Sequence, residues 1–232
     1  MSRALAAVNR CVDPRRETVP VSGTAVRDRP AAFRGYLHPR VYRDLVINVV
    51  FLGAPCTGKT TIARRLADEH GTVWMPEYGR EYWEANQVDR RLASRQLVEI
   101  AEGHLEREEA LLQQADRYLF TDTNALATLT FARYYHGQVD PRLVSLAAAT
   151  ASRYDLVFVC DIDIPYEDTW DRSGAVNRVA FQEQVLGDLG ERKIPFFLLR
   201  GDVEERVRRV RGVLDTYRKY GNVLEIPRGG DL

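Results

Sequence analysis

One string of eight residues constrains this chain more than any other part of it. Gly53-Ala54-Pro55-Cys56-Thr57-Gly58-Lys59-Thr60 fits G-x-x-x-x-G-K-[ST] at every fixed position. The glycines let the backbone turn tightly, so that successive N–H groups converge on one phosphate. A helix begun directly afterwards adds the positive end of its dipole. In that geometry Lys59 reaches the β- and γ-phosphates of a nucleotide, and the Thr60 hydroxyl ligates Mg²⁺. Gly53, Ala54, Pro55, Cys56, Thr57, Gly58, Lys59, Thr60 and the following Thr61 are therefore the expected nucleotide-binding residues, with ATP and Mg²⁺ as the expected cofactors.

The cradle works only between a strand and a helix, and the flanks supply both. Val46-Ile47-Asn48-Val49-Val50-Phe51-Leu52 is β-branched and nearly all apolar, as a strand buried on both faces of a parallel sheet should be. A helix is predicted from Gly58 to about His70, with Gly71 as its stop. Further strands are predicted at 72–75, 117–121, 154–160 and 194–199, and helices at 89–115, 124–136 and 140–152. A last helix opens at Asp202, where Glu205 three residues on completes a capping-box pattern. The alternation predicts an α/β fold, a P-loop NTPase three-layer sandwich with a parallel sheet. Residues 1–45, rich in Arg and Pro and without a period, read as a loop-rich arm. The core domain spans 46–220, and 221–232 is a tail.

Composition narrows the partners. Lys+Arg 33 equals Asp+Glu 33, so no global basic field draws the chain to nucleic acid or membrane, and any anion site is local. The longest apolar run, 45–52, is far below the roughly 20 residues a membrane helix needs. Cys11, Cys56 and Cys160 form no C-x-x-C pair, and the four histidines show no ligand spacing, so a cytoplasmic setting is expected.

Asp122, directly after the 118–121 strand, offers a carboxylate to the Mg²⁺ shell. The same stretch, Thr121-Asp122-Thr123-Asn124, also reads as a helix N-cap. Glu77 follows the second strand, at the end where ligands bind in such sheets. It suits a base for an attacking hydroxyl, with an ordinary surface glutamate as the competing reading. Arg172 and Arg178 lie in a polar stretch, 161–178. They either neutralise the transferred phosphoryl group from a flap or face solvent. Arg206, Arg208, Arg209 and Arg211 read as a solvated helix face.

Together Gly53–Thr60, Glu77-Tyr78-Gly79-Arg80-Glu81-Tyr82, Phe120-Thr121-Asp122-Thr123 and the 154–178 segment resemble the kinase domain of NadR-type proteins, over roughly residues 46–215. The resemblance implies a nucleoside/nucleotide-kinase-like fold. It implies ATP-dependent phosphorylation of the 5′-hydroxyl of nicotinamide riboside to nicotinamide mononucleotide, a step of NAD biosynthesis. Lys59, Glu77, Asp122, Arg172 and Arg178 are then the catalytic candidates. Glu77, Tyr78, Arg80, Tyr82 and Trp170 are the candidates for the acceptor. That acceptor carries a cationic ring, which Tyr78, Tyr82, Trp83 and Trp170 would clamp, unless they serve core packing instead.

In the arm, 19–27 and 36–39 resemble the end of the adenylyltransferase domain that precedes this kinase, with Ser22, Thr24 and Arg27 matching its phosphate-contacting S-x-T-x-x-R. No H-x-G-H pair accompanies it, so no adenylyltransferase activity is expected. A kinase of another nucleoside or nucleotide, and an ATP-binding regulatory protein without kinase activity, remain the alternatives. No guanine-reading N-K-x-D is present, which favours ATP over GTP. Lys59→Ala is expected to abolish transfer while leaving the fold intact.

Overall fold

The computed structural model describes Asp13 and residues 15–88, 92–165 and 178–220; Trp170, Arg172 and the 221–232 tail lie outside the described residues. Among the described residues five parallel strands carry the fold: β1 (Ile47–Leu52), β2 (Trp74–Met75), β3 (Tyr118–Asp122), β4 (Leu156–Cys160) and β5 (Phe197–Leu199). Their order is β2-β3-β1-β4-β5. The strand that feeds the glycine loop is thus central, and all six of its residues are buried.

The two-residue period of the strands sorts their side chains into two cores. Val50, Leu52, Val157 and Val159 face one way, against α5 (Ser94–Leu112), α6 (Ala125–His136), α7 (Pro141–Thr150) and α8 (Arg178–Glu191). Val49, Phe51, Phe120 and Phe158 face the other, against α3 (Lys59–His70) and α9 (Val203–Thr216). The Phe51 ring stacks on Phe158 at 5.6 Å and on Phe120 at 6.4 Å. Each such ring contributes roughly 1.5–3 kcal/mol by leaving water. The chain leaves β1 toward α3 on one face, whereas β3 and β4 lead to helices on the other. That divergence opens a crevice at the carboxyl end of β1.

Helix ends follow their caps. Gly71 closes α3 at φ 62, a left-handed conformation that suits glycine. Asp202 and Glu205 form the expected reciprocal box at the start of α9. Two helices go beyond the sequence expectation. The α4 helix (Tyr78–Asn86) forms separately ahead of α5. In α8, Phe181, Val185 and Leu189 are buried at a four-residue spacing, a period visible in the sequence.

The arm is a correction. Its described part is not loop-rich: it forms α1 (Gly23–Asp28), a 3-10 helix at Pro30–Tyr36 and α2 (Pro39–Leu45). These turns are too short to show an apolar period and are set by caps and prolines instead. Ser22 Oγ accepts from the Ala25 N–H, and Pro30 and Pro39 sit at helix starts. Tyr42 seals the arm to the base of the sheet. It is 1% exposed, packs with Val46, Leu112, Ala115 and Leu119, and its hydroxyl donates to the Ala115 carbonyl. Arg34 donates to that hydroxyl at 2.7 Å. Nearby, Lys219 donates to the Val46 carbonyl at 2.6 Å, and the Tyr220 hydroxyl to the Asp44 carbonyl at 2.6 Å.

A buried polar network fastens α5 to the sheet. Glu108 accepts from Asn48 Nδ2 at 2.9 Å, from the Tyr154 hydroxyl at 2.6 Å and from Arg153. Burial alone would push this carboxyl up. The His104 ring, the Arg153 charge and the Tyr154 hydroxyl outweigh it and hold the group at about 2. No helix among the described residues is long and apolar enough to cross a membrane.

Candidate active site

The glycine loop caps the carboxyl end of β1 and is held from several sides. Gly53 has φ 129, and a Cβ there would lie 2.5 Å from the Cys160 carbonyl of β4, so the loop rests directly on its neighbour strand. Gly58 is the left-handed N-cap of α3. Lys59 folds back over the loop and donates to the carbonyls of Gly53 at 3.1 Å and Ala54 at 2.9 Å. It is only 8% exposed. The side chain thus ties two loop carbonyls and does not belong to any of the apolar core clusters. Thr60 and Thr61 lie exposed on the first turn of α3.

Side chains from later in the sequence complete this support. Gln182 of α8 accepts from the Ala54 N–H at 2.8 Å and donates to the Cys160 carbonyl at 3.2 Å. Arg178 donates to the carbonyls of Cys56 at 3.3 Å and Ile164 at 3.2 Å. Arg206 overturns its sequence reading as part of a solvated face: it is 1% exposed and reaches the Thr57 carbonyl at 2.7 Å. Gln182 escaped sequence reasoning because a lone glutamine carries no motif. Arg206 does carry a signal, since it shares the i, i+1, i+4 stripe of Val207 and Val210 that faces the core.

Asp122 ends β3 beside Phe51. It is fully buried, its Oδ2 accepts from the Thr60 hydroxyl, and its Oδ1 is buried without a hydrogen-bond partner. Burial, and then the negative charge of Glu77, push this carboxyl up to about 6, against the pull of Lys59 and Thr60. The capping alternative belongs to its neighbour: Asn124 accepts from the N–H groups of Leu126 and Ala127 and caps α6. A hard divalent cation fits here, because an unsatisfied carboxylate oxygen and a hydroxyl face the loop. Among the described residues no group of three or more His, Cys, Asp or Glu forms a metal cage.

Glu77 occupies the N-cap position of α4, half-buried, with Oε2 3.8 Å from Arg80. Since β2 and β3 are parallel neighbours, Glu77, two residues past β2, lies at the same end of the sheet as Asp122. The aromatic residues of α4 are otherwise engaged. The Tyr78 ring carries the Arg107 guanidinium at 4.2 Å and sits on Gly103, where a Cβ would come within 2.4 Å of it. The Tyr82 hydroxyl bonds Glu99, and Trp83 packs on the larger core. Tyr78 and Tyr82 thus take part in α4–α5 packing while staying only partly buried. Trp170 and Arg172 lie outside the described residues.

A family model described as an AAA domain matches residues 48–206, most of the chain and all of the loop, Glu77 and Asp122. The chain belongs to the AAA domain family. Within that family setting, it is 30% identical over 189 residues to the trifunctional NAD biosynthesis/regulator protein NadR of Salmonella typhimurium, covering 80% of this chain and 46% of the relative. The Escherichia coli protein of the same name is 29% identical with the same coverage. The chain spans about half the length of the curated relatives it matches. Among solved structures, a NadR protein in complex with NAD and AMP-PNP superposes with a TM-score of 0.68 at 23% identity, over 93% of this chain and 62% of that one. A NadR protein in complex with NR gives 0.65 at 24%, over 86% and 59%. Deoxyadenosine kinase from M. mycoides gives 0.52 at 12%, over 74% and 100%. These likenesses show the fold: a P-loop kinase-like α/β sandwich on a parallel sheet.

Proposed function

We propose that this chain transfers the γ-phosphoryl group of ATP to the 5′-hydroxyl of nicotinamide riboside. The observation that carries the chemistry is the convergence of three strand ends. The glycine loop after β1, Glu77 after β2 and Asp122 at the end of β3 lie at the carboxyl ends of three neighbouring parallel strands. The acceptor is supported by the 189-residue similarity to NadR proteins and by the NadR structure that holds NR.

Phosphoryl transfer asks a protein mainly for positioning and charge. The amides of the loop and the first turn of α3 bind the phosphates, and Lys59 exchanges its loop carbonyls for phosphate oxygens. Thr60 and Asp122 would hold Mg²⁺, which supplies charge neutralisation on the phosphates. Glu77 accepts the proton of the attacking hydroxyl, and Arg80 lies beside it on the acceptor side. Arg178, bonded to the loop at Cys56, contributes positive charge near the transferred group. Trp170 and Arg172 retain their proposed acceptor and flap roles on sequence grounds. The domain reading likewise remains a proposal: residues 46–220 act as the kinase unit, with the arm packed at its base.

A panel of acceptors, each incubated with ATP and Mg²⁺, tests the reading. Nicotinamide riboside should be phosphorylated in preference to thymidine, deoxyadenosine and nucleoside monophosphates. Preference for any of those would refute the acceptor. Nucleotide hydrolysis without a phosphorylated product would refute the kinase.

A further inference from the structure

The loop that binds phosphate is gripped from behind by a charged side chain that belongs to none of its motifs. Arg206 enters from the first turn of α9, and its guanidinium is shared among three separate segments. Nη1 donates to the Thr57 carbonyl at 2.7 Å, Nε to the Gly201 carbonyl at 2.8 Å, and Nη2 to the Asp161 carbonyl at 3.1 Å and the Asp163 carboxylate. Asp163 in turn accepts from the Gly201 N–H at 2.6 Å. A fully buried arginine is costly unless its donors find acceptors, and four of the five N–H groups of this one do so.

A trans peptide is planar, so its C=O and the following N–H point in opposite directions. Pulling the Thr57 carbonyl back toward α9 therefore aims the Gly58 N–H forward. A cation on the carbonyl also polarises that peptide and strengthens its donor. We propose that Arg206 is a positioning residue for the phosphate site, setting the direction and strength of the Gly58 amide and locking the loop to the turns after β4 and β5. The inference rests on the phosphate-binding reading of the loop and adds to it a determinant outside the glycine motif, 149 positions along the chain from Thr57.

The test compares full-length wild type with Arg206→Met, Arg206→Lys, Asp163→Asn, Lys59→Ala and Leu214→Ala. Leu214 is buried on the same helix, 1% exposed and away from the loop, so its truncation lowers stability without touching Thr57. MgATP affinity is read by calorimetry, the Gly58 amide by its ¹⁵N–¹H resonance, and folding by thermal melting. Arg206→Met should weaken MgATP about tenfold, the scale of one charge-assisted hydrogen bond, and should shift the Gly58 resonance. Arg206→Lys should recover part of the affinity, and Leu214→Ala should bind as wild type despite a lower Tm. If Arg206→Met does not fold, Asp163→Asn carries the test, with a smaller loss in the same direction. Wild-type affinity in a folded Arg206 variant, or in Asp163→Asn where that variant stands in, overturns the proposal while Lys59→Ala still fails to bind. An equal loss in Leu214→Ala overturns it as well, by reducing the effect to stability. Absence of MgATP binding by wild type would instead remove the phosphate-site reading itself.

Discussion

Asp122→Asn should make the protein more stable and catalytically dead. In the fold the Asp122 carboxyl is pushed up to about 6 from 3.8, by burial and by Glu77. Ionising it there costs about 3 kcal/mol at 1.36 kcal/mol per pH unit. Asparagine abolishes that cost and still accepts the Thr60 hydrogen bond. Its amide N–H₂, however, takes the place of the unpartnered Oδ1. That buried donor takes back about 1–2 kcal/mol, leaving a net gain of about 1–2 kcal/mol. For a chain of this size the gain raises Tm by about 2–8 °C. The sign follows from proton binding. Between pH 3.8 and about 6 the folded wild type holds a proton that the unfolded chain releases, so its stability falls as pH rises through that window. The variant lacks that slope, so its advantage opens across the window and is constant above it. Melting curves in chelator from pH 4 to 8 measure this, and phosphoryl transfer with Mg²⁺ measures the accompanying loss. A variant that melts below wild type at pH 7 without metal would refute the reasoning, because Asp122 would then be a stabilising group rather than one held ready for a cation.

Two further substitutions separate chemistry from support. Glu77→Gln should leave MgATP affinity within about twofold and lower the transfer rate by about 10²–10⁴-fold, the usual range for a lost general base; full turnover in a single-turnover assay would exclude Glu77 as the proton acceptor. Glu108→Gln should behave oppositely to Asp122→Asn. Its carboxyl is held at about 2 against 4.5, so it contributes about 3 kcal/mol at neutral pH. That contribution is complete above pH 4.5 and is lost as pH falls toward 2. Denaturant titrations at pH 7 and pH 3 should show the gap between variant and wild type shrinking at the lower pH, and an unchanged gap would be inconsistent with the network.

The parts legible in the sequence were those governed by local rules. The glycine loop, the buried run of β1, the Gly71 stop and the Asp202–Glu205 box each depend on neighbours a few residues apart, and each formed as expected. Asp122 could be singled out because a strand end fixes which way a following acid faces. Residues whose place depends on distant partners were harder to read. Arg206 looked like one of several surface arginines because its acceptors, Thr57, Asp161 and Gly201, come from three other turns. The seat of the Tyr78 ring on Gly103 was equally hidden, because the two lie on different helices and no local pattern links them. The arm read as loop because its helices run only six or seven residues. Too few turns exist there for an apolar stripe to declare itself.

Both the arm and the stretch around Tyr220 gather where β1 begins, with Lys219 on the Val46 carbonyl and Tyr220 on Asp44. The glycine loop lies past the other end of that six-residue strand, about 20 Å off at the usual rise per residue. Anything fused or bound at the strand's entrance would therefore hang from the back of the molecule. The approach to the glycine loop would remain unobstructed.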